Sequence, residues 1–125
     1  MLGTPIVSII DDDPSVRVAT DGLVRSLGYR AATFESAEDF LQSDLVGDTS
    51  CLITDVQMPG LSGIELQSLL NARGIPLPII FITAFPEERI RLSVLEAGAV
   101  GFLSKPFNEA RLIEHLQTAL ESRLA

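Results

Sequence analysis

Lysine is almost missing from this chain. Nine of its 125 residues are basic; eight are arginines and one, Lys105, is the only lysine. Cysteine is as scarce. Cys51 stands alone, which excludes an internal disulfide and a cysteine-ligated zinc cluster. Because it opens an apolar stretch, it is expected to be a buried structural thiol, a small hydrophobe in effect. A single histidine, His115, excludes a histidine-rich metal centre and reads as a surface residue of a helix, not as a phosphate carrier. Positive charge is in short supply: 9 basic against 17 acidic residues give a net charge of −8, which argues against nucleic-acid binding by this domain, because that affinity rests on neutralising phosphates. No apolar run approaches the roughly 20 residues needed to span a bilayer. The N-terminus lacks a basic region and its apolar stretch stops at Asp11, so no signal peptide is expected. A soluble, cytoplasmic protein with no membrane contact is the default. Repeats, low-complexity segments and linkers are lacking too, and the length predicts one domain, residues 1–125.

What is present is an ordinary globular composition, 46% apolar and 21% charged. The pattern alternates strand and helix five times. Ile6 to Ile10 is the first strand. Asp13 and Pro14 then open a helix, as an N-cap and a first helical position. Val16, Thr20, Leu23 and Leu27 follow at helical spacing up to Gly28. Gly22 interrupts this helix, and close packing is the one reason available for it. Tyr29 to Phe34 is a second, less apolar strand. Ser36 and Asp39 start a second helix carrying Phe40, Leu41 and Leu45. Cys51 to Thr54 is the third strand. A turn at Met58-Pro59-Gly60 leads to a capping box, Ser62 to Glu65, and a helix with Leu66, Leu69 and Leu70 before Gly74. Ile79 to Ile82 is the fourth strand. Pro86, Glu87 and Glu88 form the first turn of a helix that stops at Gly98. Val100 to Leu103 is the fifth strand. Asn108 caps a last helix with a stripe of Leu112, Ile113, Leu116 and Leu120, and Phe107 with Leu112 makes a hydrophobic staple.

Such alternation with short connections implies parallel strands joined by right-handed crossovers. Strands one, three and four are almost wholly apolar, as strands buried on both faces must be; two and five suit the edges. The expected fold is therefore α/β, a flavodoxin-like (βα)5 doubly wound parallel sheet of order 2-1-3-4-5, with ligands bound beyond the carboxyl ends of the strands.

The chemistry-bearing residues fall at those ends. Asp11 and Asp12 follow strand one, Asp55 follows Thr54 of strand three, Thr83 follows strand four, and Lys105 lies just past strand five. Magnesium is typically held by one or two carboxylates with retained waters and phosphate oxygens, and neighbouring acids that repel one another are poised for a cation. Asp13 is read as a cap only. Lys105 can supply a point charge to a phosphate oxygen, or pair with Asp55 when no phosphate is bound. Thr83 can donate its hydroxyl to a phosphoryl oxygen.

Four segments together resemble the receiver domain of two-component response regulators. They are Ile9 to Asp13, Thr54 to Gly63, Phe81 to Ala84 and Ala97 to Phe107. The wording is most similar to FixJ-like receivers coupled to helix-turn-helix outputs. The resemblance implies that Asp55 accepts a phosphoryl group from a sensor histidine kinase. It implies magnesium (manganese or calcium can substitute) held by Asp12, Asp55 and the backbone carbonyl of Gln57, with Asp11 acting through water. Lys105 and Thr83 are the implied phosphoryl contacts, and Lys105-Pro106 the implied cis peptide. Thr83 and Phe102 are the implied switch pair, with Phe102 turning inward from a solvent-facing rotamer. The face of helix four, strand five and helix five is the implied surface for a partner or a homodimer. Phe102 stands where many relatives carry tyrosine. Gln57 and Phe85 take the positions that flank the hydrolytic water, so a bulky Phe85 implies a long-lived phosphoryl state.

Two further classes compete. A degenerate receiver would serve only as a protein-binding module, against which stand Asp12, Asp55, Thr83 and Lys105. A haloacid-dehalogenase-type phosphohydrolase is faintly suggested by Asp11 and Asp13, but no acidic pair follows Lys105. A nucleotide-binding protein of the same fold is disfavoured because no glycine-rich loop follows any strand. The implied protein is thus a signalling switch and not a multiple-turnover enzyme.

Overall fold

A computed structural model describes residues 3–124. Five strands, β1 (Ile6–Ile10), β2 (Arg30–Phe34), β3 (Cys51–Asp55), β4 (Ile79–Thr83) and β5 (Gly101–Ser104), alternate with five helices. These are α1 (Pro14–Ser26), α2 (Ala37–Gln42), α3 (Gly63–Ala72), α4 (Glu88–Glu96) and α5 (Glu109–Leu124). All strand pairs are parallel, in the order β2-β1-β3-β4-β5. This is the expected flavodoxin-like sheet. Every residue of β1, β3 and β4 is buried, whereas β2 alternates between exposed and half-buried positions, so the polar Arg30 and Thr33 mark an edge.

Side chains alternate across the sheet and feed two cores. Val7, Ile9, Ile53, Ile80, Ile82 and Leu103 meet Val24 of α1 and Leu112, Leu116 and Leu120 of α5. Ile10, Leu52, Ile79 and Phe81 meet Phe40 of α2, Leu66 and Leu70 of α3 and Val94 of α4. Ser8, between Val7 and Ile9, is fully buried and pairs its hydroxyl with that of Thr49 at 2.7 Å, so neither hydroxyl is stranded.

Capping follows the sequence closely. Asp13 accepts from the Ser15 amide, Ser36 from Asp39, and Asn108 from Arg111. Ser62 and Glu65 form a complete capping box. Gly28, Gly74 and Gly98 take positive φ just past α1, α3 and α4. Several boundaries differ from expectation, β3 and β4 each running one residue further, to Asp55 and Thr83. β2 starts at Arg30 and β5 runs one residue later than Val100 to Leu103. α2 ends at Gln42, leaving Leu45 outside it, because the Ser43 amide and hydroxyl both turn back onto the Phe40 carbonyl. α4 starts at Glu88; Pro86 precedes it, and Glu87 is an N-cap without a side-chain bond. Gly22 is exposed, with open space where a Cβ would project, so close packing is not its reason.

The C-terminal end of α4 is fastened to α3. Gln67 Nε2 donates to the Val94 carbonyl at 2.9 Å, and Asn71 Nδ2 to the Ala97 carbonyl at 3.0 Å. The Val94 carbonyl accepts from the Ala99 amide as well, at 2.9 Å, so Gln67 is its second donor, while Asn71 serves a carbonyl at the helix end.

Candidate functional site

The chain reverses direction across the sheet between β1 and β3, and the crevice beyond their carboxyl ends is where such sheets bind ligands. Asp11 follows the last residue of β1, and Asp55 closes β3. One carboxylate oxygen each from Asp11, Asp12 and Asp55 lies within 4.8 Å of the others. Asp11 is wholly buried and Asp55 nearly so, while Asp12 is exposed, which leaves the cluster open on one side.

Lys105 reaches into it from just past β5. Its Nζ donates to Asp55 Oδ2 at 2.8 Å and lies 2.9 Å from Asp11 Oδ2. The second contact lacks hydrogen-bond alignment, so Asp11 Oδ2 is a buried oxygen with an ion pair but no hydrogen bond. Asp11 Oδ1 accepts from the Asp13 amide at 2.9 Å, and Asp55 Oδ1 from the Gln57 amide at 3.3 Å. Burial raises the Asp11 pKa above the ordinary carboxylate value, despite the opposing pull of Lys105. Burial alone would lower Lys105, but its hydrogen bond to Asp55 and its ion pair with Asp11 together outweigh it and hold its pKa above that of a free lysine. One cation shared by two carboxylates, with a third beside them, is a site short of positive charge. The orphaned Asp11 oxygen and the all-oxygen donor set fit a hydrated divalent cation.

Other predicted residues lie around this centre. The Lys105-Pro106 peptide is cis, and the Lys105 amide donates to the Thr83 carbonyl at 2.8 Å. Thr83 is buried at the end of β4; its hydroxyl accepts from the Phe85 amide at 3.1 Å and makes no bond to the carboxylates. Gln57 is exposed, and Phe85 is 68% exposed. Phe102 is half-buried, not fully solvent-facing: it packs against the core beneath α4 and lines a cleft with Pro86, Glu88 and Arg91. His115 is no free surface residue. Its ring lies over Gly101, where a Cβ would come within 2.6 Å of it, and burial lowers its pKa.

Sequence reasoning missed three supports. Arg17 Nη1 donates to the Asp11 carbonyl at 2.7 Å and so braces the backbone that carries the acids. Gly63 opens α3 against the Asp55 backbone carbonyl, leaving no room for a Cβ. Glu38 of α2 accepts from the Leu61 amide at 2.9 Å, across the loop that follows Asp55. A glycine immediately after a capping serine was a usable signal for the second. The other two are contacts to the main chain of distant residues and leave no periodicity.

The profile of the response regulator receiver domain matches residues 7–117. The chain belongs to the response regulator receiver family. This receiver is 41% identical over 116 residues to Nodulation protein W of Bradyrhizobium diazoefficiens, covering 93% of this chain and 51% of that protein. It is 38% identical over 114 residues to the transcriptional regulatory protein FixJ of Azorhizobium caulinodans, covering 91% and 54%. A receiver protein from Pseudoalteromonas atlantica superposes with a TM-score of 0.87 at 28% identity, covering 95% of this chain and 99% of the other. The receiver spans about half the length of the curated relatives it matches. Receivers of this family generally bind magnesium at an acidic pocket and take phosphate from histidine kinases, and this chain carries a cluster of Asp11, Asp12 and Asp55. No described helix is long and apolar enough to cross a membrane.

Proposed function

We propose that this chain is a phosphorylation-activated switch, a single receiver domain over residues 1–125, working in the cytoplasm with a sensor histidine kinase as phosphodonor. One observation carries the reading: the only lysine of the chain bridges two buried carboxylates at the carboxyl edge of the sheet, with a third acid beside them. A purely structural ion pair needs no third, exposed acid.

The phosphoacceptor is Asp55. Its carboxylate oxygen attacks the phosphorus of a phosphohistidine in line. The new phosphorus–oxygen bond forms as the phosphorus–nitrogen bond breaks, and the imidazole leaves with the electron pair, giving an acyl phosphate. Asp12, Asp55 and the Gln57 carbonyl would hold magnesium, with Asp11 acting through water; the ion supplies charge neutralisation for the phosphoryl oxygens. Lys105 moves from Asp55 Oδ2 to a phosphoryl oxygen, so its ammonium is already within reach before transfer. The Thr83 hydroxyl turns from the Phe85 amide toward the phosphoryl group. The buried space it vacates admits the half-buried Phe102 ring. The face of α4, β5 and α5 then differs between two states, and a partner, an output domain or a second protomer reads the difference. Phe85 shields the acyl phosphate from water, and Gln57 flanks the same approach. Hydrolysis is slow and the chain is no multiple-turnover enzyme.

The test is intact mass after incubation with acetyl phosphate, with and without magnesium, for wild type and Asp55→Asn. A single phosphoryl adduct that requires magnesium and disappears in the variant is the expected result. No adduct on wild type overturns the reading and leaves a protein-binding module.

A further inference from the structure

Resting on the reading above, we propose that Glu38 is a positioning residue for the metal-binding loop: from α2 it latches the β3–α3 loop so that the Gln57 carbonyl faces the acidic cluster. The loop from Val56 to Ser62 carries Gln57, which has no bond of its own to β1, β4 or β5 among the described hydrogen bonds. Its start is tied to β4 by the Val56 amide, which donates to the Ile82 carbonyl at 3.2 Å, and its end by the Ser62 amide, which donates to Glu65 Oε1 at 2.9 Å. Its neck is closed by the Gly63 amide on the Val56 carbonyl at 2.9 Å. Met58 is buried in the core beneath α2 and α3. At the tip of the loop, the one hydrogen bond among the described residues is to Glu38, whose Oε2 accepts from the Leu61 amide at 2.9 Å, while the Leu61 side chain packs partly against the same core.

The fit at the tip is close. Gly60 has φ +79°, and a Cβ there would come to 2.5 Å from the same Glu38 oxygen. The loop therefore presents a bare backbone to the carboxylate, in a conformation that L side chains rarely adopt. The base of the latch is rigid. Ala37 and Phe40, flanking Glu38 on α2, are fully buried, and the Phe40 ring meets Phe34 of β2 edge-on at 5.4 Å. Ser36 caps the helix. Thus α2 is fixed by its apolar side while its exposed Glu38 reaches 23 residues along the chain. The Leu61 amide holds the Glu38 carboxyl below its ordinary range, so the latch is ionised and engaged at neutral pH. Groups that orient a metal ligand typically change affinity by about 10–100-fold when removed; Glu38 acts one step further out through the loop, so about three- to tenfold is expected.

The experiment is calorimetric titration of magnesium chloride into wild type, Glu38→Ala, Glu38→Gln and Asp39→Ala, with amide hydrogen exchange of Leu61 followed alongside. Glu38→Ala should weaken magnesium about three- to tenfold and lose protection at Leu61. Glu38→Gln, which keeps an acceptor oxygen, should stay within about twofold of wild type, as should Asp39→Ala, which removes the neighbouring charge. Because Glu38 and Asp39 are both exposed, all variants should melt close to wild type. Unchanged affinity in Glu38→Ala overturns the latch alone. Equal weakening in Asp39→Ala also overturns it, in favour of a simple field effect. A wild type that takes up no magnesium overturns the functional reading and the latch together.

Discussion

Replacing Lys105 with methionine keeps the length of the side chain and removes its charge. The ammonium is the counter-ion of two carboxylates, Asp55 at 2.8 Å and Asp11 at 2.9 Å. Without it, two acids within 4.8 Å repel by about 3 kcal/mol at an effective dielectric constant near 20. The acids can escape only by taking up a proton. From the ordinary value of 3.8 that costs the folded state about 4 kcal/mol at pH 7 but only about 1 kcal/mol at pH 4.5. At pH 7, Lys105→Met should therefore be less stable than wild type by about 3 kcal/mol, within the range for breaking a buried pair. By pH 4.5 the deficit should shrink to about 1 kcal/mol. The sign agrees with Asp11. Its folded pKa is raised, so its ionisation costs the folded state, and stability is lost as pH rises through that pKa. Lys105 behaves in the opposite sense to a depressed acid: its contribution is complete below 10.5 and fades as pH rises through its raised folded value. Urea unfolding at both pH values measures the effect, and millimolar magnesium at pH 7 should narrow the gap by replacing one cation with another. A deficit under about 1 kcal/mol at pH 7, or one that acid leaves unchanged, would refute the reasoning.

Gly63→Ala drives a methyl group into the Asp55 carbonyl and against the Phe81 ring, and should cost about 2–3 kcal/mol in thermal unfolding while slowing phosphorylation of Asp55. Gly22→Ala, at an exposed mid-helix position with open space around it, should stabilise the fold by about 0.5–1 kcal/mol. Gln67→Leu removes one of two hydrogen bonds to the Val94 carbonyl, which keeps the Ala99 amide, and should cost about 0.5–1.5 kcal/mol, with faster amide exchange at Ala97 to Ala99. Phe85→Ala, at a position 68% exposed, should leave the melting temperature nearly unchanged yet shorten the phosphoryl lifetime severalfold; a lifetime equal to wild type removes Phe85 from the shielding role.

The strand order was legible because burial on both faces demands nearly unbroken apolar runs, and Ile6 to Ile10, Cys51 to Thr54 and Ile79 to Ile82 supply them, whereas Arg30 and Thr33 mark the second strand as an edge. The placement of Asp11, Asp55, Thr83 and Lys105 followed from that order, since each ends or follows a strand. Less legible was anything decided by a side chain meeting a distant main chain. Ser43 ended α2 early, Arg17 reached the Asp11 carbonyl, and Glu38 reached Leu61. Gly22 misled for the opposite reason: an isolated glycine in a helical pattern suggests a tight neighbour, and here there is none. Phe102 and His115 were misjudged in exposure because edge strand β5 is partly covered, by α4 on one face and α5 on the other.

The two amides that run from α3 to the last carbonyls of α4 make that helix asymmetric. At Val94 and Ala97 it is tied to its neighbour; at Glu87 it begins without a side-chain cap, after the exposed Phe85 and Pro86. A rod fastened at one end can swing only from the other. Any displacement of α4 should therefore be graded, smallest beside Gly98 and largest at Glu88, the end that lies toward the carboxyl edge of the sheet.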